Sequence, residues 1–400
     1  MKLYRNLCAG VAEALLEIFH YHRHAPQVVE IFLNQNKKWG ARDRNFVAGS
    51  VYECVRFYRR YCFMAGIEKI EQLQDAWLLI AAHLFHQQIP LPEWEEFHSV
   101  SIQEMTGRLQ EAQNNTAILE SVPDWLYQLG ESELGNSWNR QLHALNEPAK
   151  LCLRINTLRS NRREVETFLL AQEVPFSSSP LAPDSLVVET RKNIRSWEIY
   201  QNGSIEIQDV GSQLIVPLLH AEKDQVIIDA CAGAGGKSLQ LAAAIQNEGR
   251  ILAFDIHSNK LDELDRRARR AGASCITAHL SKPELIEKWK GQAHRLLIDA
   301  PCSGLGTIKR HPDLKWKLTP DFIQTIKSTQ RQVLEMYAPL LRNKGILVYA
   351  TCSILPSENE QQVAWFLEQH PDFSKIDELI LRPDETGFDG FYACALQLNQ

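Results

Sequence analysis

QVIIDACAGAGGKS, residues 225–238, joins a short apolar run to a Gly-rich turn and then to helix-forming residues. A run of Val and Ile this short, closed by a turn, reads as a strand buried on both faces. The turn opens backbone N–H groups to close approach by a ligand, because glycine carries no Cβ and takes positive φ at little cost. The same alternation repeats downstream in RILAFDI (250–256), ASCITAH (273–279), HRLLIDAPC (294–302) and GILVYATCS (345–353). Helical segments fill the gaps, from about Gly236, from Ser258, near Pro283 and from about Pro320. Continuous apolar strands separated by amphipathic helices predict an α/β, doubly wound parallel sheet over residues 201–400. In such sheets ligands bind at the carboxyl ends of the strands.

Upstream, the texture changes twice. The break NEPAK (146–150) precedes a small α+β segment, residues 147–200, in which LCLRINT (151–157) and SLVVE (185–189) read as strands. Between them SNRREVETFLLAQ (160–172) reads as a helix opened by Ser160 as its cap. This segment carries Lys150, Arg154, Arg159, Arg162 and Arg163, a basic run that fits a solvated face or an RNA-facing surface. Residues 1–146 read as an all-helical domain. Leu3, Leu7, Val11, Leu15 and Phe19 recur every four residues, and VAGSVYECVRFYRRYCFMAG (47–66) continues the pattern. His20, His22, His24, His83 and His86 read as bundle residues rather than ligands.

Composition narrows the function classes. The 400 residues are 44% hydrophobic and 23% charged, as in a soluble globular protein, and no apolar run approaches the roughly 20 residues of a membrane span. Glu13 and Glu17 interrupt the apolar residues at the start, so no signal peptide is expected there. Nine cysteines without a C-x-x-C pair speak against a disulfide framework and against a zinc site, so no metal is expected. Reduced thiols, a cytoplasmic setting and a monomer are the corresponding expectations. The net charge of -6 counts against nucleic acid as a partner unless local basic patches supply the contacts.

The Gly-rich loop excludes two nucleotide motifs by spacing. A Walker A loop needs Gly where Cys231 stands, and a G-x-G-x-x-G fingerprint starting at Gly233 needs Gly where Ser238 stands. Asp255 ends the next strand, twenty residues after Gly235, where a carboxylate can accept hydrogen bonds from ribose hydroxyls. S-adenosylmethionine has the ribose without the phosphates, and fits this combination better than ATP or NAD.

Two further strings each place a cysteine just beyond a strand: DAPCSGLGTIKRHP (299–312) and ATCS (350–353). Together with DACAGAGGKS (229–238) they resemble the D-x-C-A-x-x-G-G-K, D-A-P-C-S-G and T-C-S motifs of the S-adenosylmethionine-dependent RNA cytosine-C5 methyltransferases. The R-H-P-D-x-K-W tail (310–316), IQDVGSQLIVPLL (207–219) and GFDGFYACAL (387–396) are similar to that family as well. The resemblance covers roughly residues 151–398. The helical first third resembles, more weakly, the RNA-binding domain of the bacterial small-subunit ribosomal RNA members.

The resemblance implies a Rossmann-like methyltransferase sheet, S-adenosylmethionine as cofactor, RNA as partner and 16S ribosomal RNA as substrate. Carried over residue by residue, it implies cofactor contacts at Cys231, Ala232, Gly233, Ala234, Gly235, Gly236, Lys237, Asp255 and Asp299. It makes Cys352 the nucleophile, Cys302 the group that assists product release, and Asp299 the residue that positions the base and stabilises its protonation. One departure concerns the third strand, where His279 stands in place of the family's acidic residue near the adenine.

The chemistry suits two thiols. C5 of cytosine is a poor nucleophile until another nucleophile adds at C6, and a thiolate suits that reversible addition. A thiol with an ordinary pKa of about 8.5 needs a local base or a shift to react at neutral pH. In DNA cytosine methyltransferases the attacking thiol sits in a Pro-Cys dipeptide, as Cys302 does, but those enzymes carry E-N-V where this chain has only ENE, 358–360, read as helical. Cys8, Cys54, Cys62, Cys152, Cys275 and Cys394 lack such flanks and read as packing residues.

Lys309, Arg310, His311, Lys315 and Lys317 fall on the loop beyond Cys302, where a target strand is expected to pass. RRARR (266–270) reads as a solvated helix face, and the direction of Lys237, toward cofactor or thiol, stays open. Transfer RNA is the alternative substrate. A catalytically inactive RNA-binding scaffold is expected to have lost one of Asp299, Cys302 or Cys352, and an amino-group methyltransferase to carry Asn-Pro-Pro-aromatic in place of D-A-P-C; neither holds.

Overall fold

A computed structural model describes residues 3–189 and 193–399, which divide into two compact units. The first comprises Met1–Asn146 with Arg310–Leu318, the second Glu147–Lys309 with Thr319–Gln400.

The first unit is helical. Helix Arg5–Phe19 buries Leu7, Val11 and Leu15, the apolar stripe of its sequence, among helices Ala25–Gln35, Ala41–Arg56, Tyr58–Ala65 and Leu73–His86. Segment 310–318 is built into this unit rather than lying as a free loop. Lys315 is 0% exposed, and its ammonium donates to the Arg56 carbonyl at 2.6 Å and to Asn146 Oδ1 at 3.0 Å. Trp316 Nε1 donates to the Val55 carbonyl at 2.7 Å. Burial holds the Lys315 pKa well below the usual lysine range, with the charge of Arg56 acting the same way. The expectation that Lys315 faces a target strand is therefore corrected.

The second unit contains two sheets among the described residues. The small one comprises β1 (Leu151–Ile155), β2 (Phe176–Ser178), β3 (Ser185–Val188) and β4 (Ile205–Ile207), in the antiparallel order β2-β3-β1-β4. Its helix, Arg162–Ala171, is capped by Asn161, whose Oδ1 accepts from Glu164 N; Ser160, the expected cap, instead donates to the Glu164 carboxylate at 2.8 Å.

The large sheet comprises β5 (Gln225–Asp229), β6 (Gly249–Asp255), β7 (Ile276–Leu280), β8 (Ala293–Asp299), β9 (Leu341–Thr351), β10 (Phe373–Leu381) and β11 (Phe391–Leu398), in the order β10-β11-β9-β8-β5-β6-β7. The strands β5 to β9 run parallel, as their apolar runs predict, while β10 and β11 return antiparallel and complete the edge. Adjacent residues of one strand enter opposite cores. Ile227, Ile251 and Val348 lie in one, and Ile228, Leu252 and Leu347 in the other. That two-sided burial is why these strands read as continuous rather than alternating apolar runs. Register then places the chemistry. Asp299 pairs with Ala350 across β8 and β9, so Cys302 and Cys352 leave the sheet at the same edge.

Candidate active site

The first strand ends at Asp229 and the chain turns through Gly233 (φ 56°) and Gly235 (φ 82°) into helix Gly236–Ala244. These left-handed conformations favour glycine. A Cβ at Gly235 would also press on Leu264, whereas at Gly233 and Gly236 it would enter open space. That open space is a cavity of about 550 Å³ lined by the loop, by Asp229, Asp255 and Asp299, and on the far side by Val333, Met336 and Tyr337.

Asp255 is fixed as part of this loop. Its Oδ2 accepts from Gly233 N at 2.8 Å and its Oδ1 from His257 N at 2.8 Å. Asp229 is 1% exposed; Oδ2 accepts from Ser238 Oγ at 2.6 Å, and Oδ1 is buried with no hydrogen-bond partner. Burial pushes its pKa up to about 7 against the opposing hydrogen bond from Ser238. The lining sets Asp229, Asp255 and Asp299 against Lys237 and Lys260, a mixed surface rather than the cationic cradle that a triphosphate needs.

In the cavity lining, Lys237 Nζ donates to Asp299 Oδ2 at 2.6 Å, while the Cys352 charge also acts on it, so the ammonium serves both directions that the sequence left open. Burial disfavours the Lys237 ammonium, but the charge of Asp299 and this hydrogen bond outweigh it and raise the pKa above the usual range. Cys302 Sγ and Cys352 Sγ stand 3.3 Å apart. The hydrogen bond with Cys352, burial and the Cys352 and Glu358 charges push the Cys302 thiol well above the ordinary range.

Thus Cys231, Ala232, Gly233, Ala234, Gly236, Lys237, Asp255 and Asp299 line one cavity, Gly235 faces Leu264 instead, and Cys302 and Cys352 meet at the same sheet edge. Two of the expected RNA contacts are enclosed by the protein. Arg154 is 2% exposed and bonded through Nε to Gln208 Oε1 at 2.6 Å, and Lys309, also 2% exposed, donates to the Gly387 carbonyl at 3.2 Å. Both are enclosed by partners distant in sequence, which corrects their reading as RNA contacts. Arg159 and His311 are exposed and Arg310 is half-buried. His279 packs edge-on to Phe254 at 6.0 Å and is not among the residues lining the cavity.

Two groups were misread or missed. Within RRARR, Arg267 donates to the Ala234 carbonyl of the Gly-rich loop at 2.8 Å and to Glu206 at 2.9 Å, and Arg270 pairs with the other Glu206 oxygen at 2.5 Å. Arg267 and Arg270 thus brace the loop, while Arg266 and Arg269 are exposed, as the solvated reading expects. Glu358, read as helical, lies in the turn before helix Glu360–Gln369 and is bonded to the serines that follow both cysteines. The ENE string was the only signal for it. Among the described residues no cluster of His, Cys, Asp or Glu could hold a metal ion, and no helix is long and apolar enough to cross a membrane.

A family model described as 16S rRNA methyltransferase RsmB/F matches residues 216–397, and one described as an RsmF/B-like ferredoxin-like domain matches residues 122–195. Ribosomal RNA small subunit methyltransferase B of Shewanella oneidensis is 30% identical over 288 residues, covering 69% of this chain and 67% of that protein. Its probable counterpart in Bacillus subtilis is 30% identical over 297 residues, covering 69% and 66%. The chain spans 58 to 67% of the length of such curated relatives. The crystal structure of PH0851 superposes with a TM-score of 0.83 over 99% of both chains at 22% identity, which shows a shared fold.

Proposed function

The chain belongs to the 16S rRNA methyltransferase RsmB/F family, and from that premise we propose that it methylates C5 of a cytosine in RNA, with 16S ribosomal RNA as substrate and S-adenosylmethionine as methyl donor. The observation that carries this reading is the pair of sulfurs 3.3 Å apart beside the Lys237 and Asp299 ion pair at the cavity mouth. In this reading Cys352 adds to C6, forming a covalent adduct, and Asp299 hydrogen-bonds the N3 and N4 edge of the base as charge develops there.

The cavity residues fit the donor. The unpartnered Asp229 Oδ1, the open space above Gly233 and Gly236, and the fixed Asp255 carboxylate would meet a ligand that is cationic at one end and a ribose at the other. When bound, S-adenosylmethionine supplies an electrophilic methyl group on a sulfonium. The turn Cys231–Lys237 would hold it through backbone groups, and Asp255 through the ribose hydroxyls. Asp255→Ala is expected to weaken S-adenosylmethionine binding about ten- to hundredfold, since hydrogen bonds to a charged acceptor contribute about 1.5–3 kcal/mol. Unchanged affinity by calorimetry would move the ribose elsewhere.

The substrate is tested in cells. Mapping 5-methylcytosine across ribosomal and transfer RNA, with and without the gene, should show one 16S position that loses its mark and regains it with the wild-type gene but not with Cys352→Ala. A mark lost from transfer RNA would replace the substrate, and a mark lost from neither would remove the reading.

A further inference from the structure

Glu358 is 0% exposed, yet its carboxylate accepts four hydrogen bonds. Oε1 takes Ser303 Oγ and Ser353 Oγ, each at 2.5 Å; Oε2 takes Ser303 N at 2.8 Å and Gln330 Nε2 at 3.1 Å. Ser303 follows Cys302 directly, and Ser353 follows Cys352. One carboxylate therefore closes both cysteine turns, which are fifty residues apart in the chain. The next residue strengthens the arrangement: Asn359 Oδ1 accepts from Thr351 Oγ1 at 2.5 Å and its Nδ2 donates to the Ser353 carbonyl at 3.0 Å.

A carboxylate has about four acceptor sites, and all of them are used here inside the protein. That leaves none for a base, so Glu358 does not serve the substrate directly. Burying a carboxylate costs several kcal/mol unless its hydrogen bonds are satisfied, so the four donors are held as firmly by Glu358 as it is by them.

We propose that Glu358 is the positioning residue that locks the Ser303 and Ser353 turns together and so holds the Cys302 and Cys352 thiols at their working separation. The proposal rests on the roles assigned to the two thiols above. Its force comes from geometry, since misplacing a reacting group by about 1 Å can cost about 10²-fold in rate. The Glu358 charge also opposes ionisation of Cys302.

The test uses the full chain and a short bifunctional alkylating reagent such as dibromobimane, which bridges two thiols only when they are close; Cys302→Ala supplies the unbridged control. Glu358→Ala is expected to lower kcat about 10²-fold with the KM for S-adenosylmethionine unchanged, because Glu358 does not line the cavity. Bridging of Cys302 to Cys352 should fall at least about tenfold while alkylation of each thiol continues. Glu358→Gln keeps the shape, and the serine hydroxyls can reverse to accept from its amide, so it should restore most of both signals. If Glu358→Ala does not fold, the paired change Ser303→Ala with Ser353→Ala removes both hydroxyl links, leaving the Ser303 N–H as the one link from the two turns to Glu358, and should also lower bridging. Wild-type bridging in Glu358→Ala, or in the paired serine variant where that one does not fold, overturns the proposal, as does a loss of kcat in either with bridging intact. A fall in bridging in protein that methylates no RNA cytosine supports the clamp and instead overturns the proposed reaction.

Discussion

Cys352→Ala is expected to abolish methyl transfer, a loss on the order of 10⁴-fold or more, as when a covalent nucleophile is removed from other enzymes. Cys302→Ala should fail differently. In the proposed reaction, attack of Cys352 would form an S–C6 bond and give C5 the electron density to take the methyl group. Release then requires the C5 proton to leave to a base; its electron pair closes the C5–C6 double bond and expels the Cys352 sulfur. The Cys302 thiol, 3.3 Å from that sulfur and disfavoured as a thiolate by burial and the Glu358 charge, would supply its proton. Without it, the adduct should form and persist. On a denaturing gel, protein incubated with substrate RNA and S-adenosylmethionine should give a retarded RNA-linked band for Cys302→Ala and none for Cys352→Ala. The double variant should match Cys352→Ala. The reverse pattern would make Cys302 the attacking thiol, as the Pro-Cys dipeptide alone would have it. No band together with full activity in both variants would return the cysteines to packing roles.

The large sheet was legible because its strands are buried on both faces, and that burial writes itself into the chain as unbroken apolar runs such as Ile227–Ile228 and Leu347–Val348. The Gly-rich loop and Asp255 followed, since strand ends and turn glycines fix where a ligand can approach. What stayed hidden depends on partners distant in sequence. Arg154 and Lys309 look like surface cations until Gln208 and the Gly387 carbonyl enclose them. RRARR looks solvated until Glu206, about sixty residues earlier, meets Arg267 and Arg270. Lys315 belongs to the motif tail, yet the helical unit buries it, because its ammonium finds the Arg56 carbonyl and Asn146 Oδ1 there. Glu358 is the sharpest case. No local pattern distinguishes a glutamate in a turn from one that closes two others, and only the register of β8 with β9 brings Ser303 and Ser353 to it.

The pairing of β5 with β8 brings the helix that carries Lys237 to Asp299, and a double-variant cycle can measure whether the two act as one unit. Asp299→Asn is expected to lower kcat about 10³-fold, within the about 10² to 10⁴ that a positioned acid–base group contributes, and to change S-adenosylmethionine affinity far less. Asparagine keeps the shape but removes the charge that base protonation needs. It also leaves the Lys237 ammonium, 11% exposed at its side chain, without the carboxylate that raises its pKa, so that pKa should fall. Lys237→Met should cost about 10- to 10²-fold, because Asp299 keeps its charge but loses the contact at 2.6 Å that orients it. If Lys237 acts by holding Asp299, the combined variant should be no slower than Asp299→Asn alone, because residues working as a unit are not additive. Single-turnover rates on RNA, with affinity followed separately by calorimetry, distinguish the cases. Losses that multiply would give Lys237 a role of its own toward the donor, and a wild-type rate for Asp299→Asn would remove the carboxylate from the chemistry.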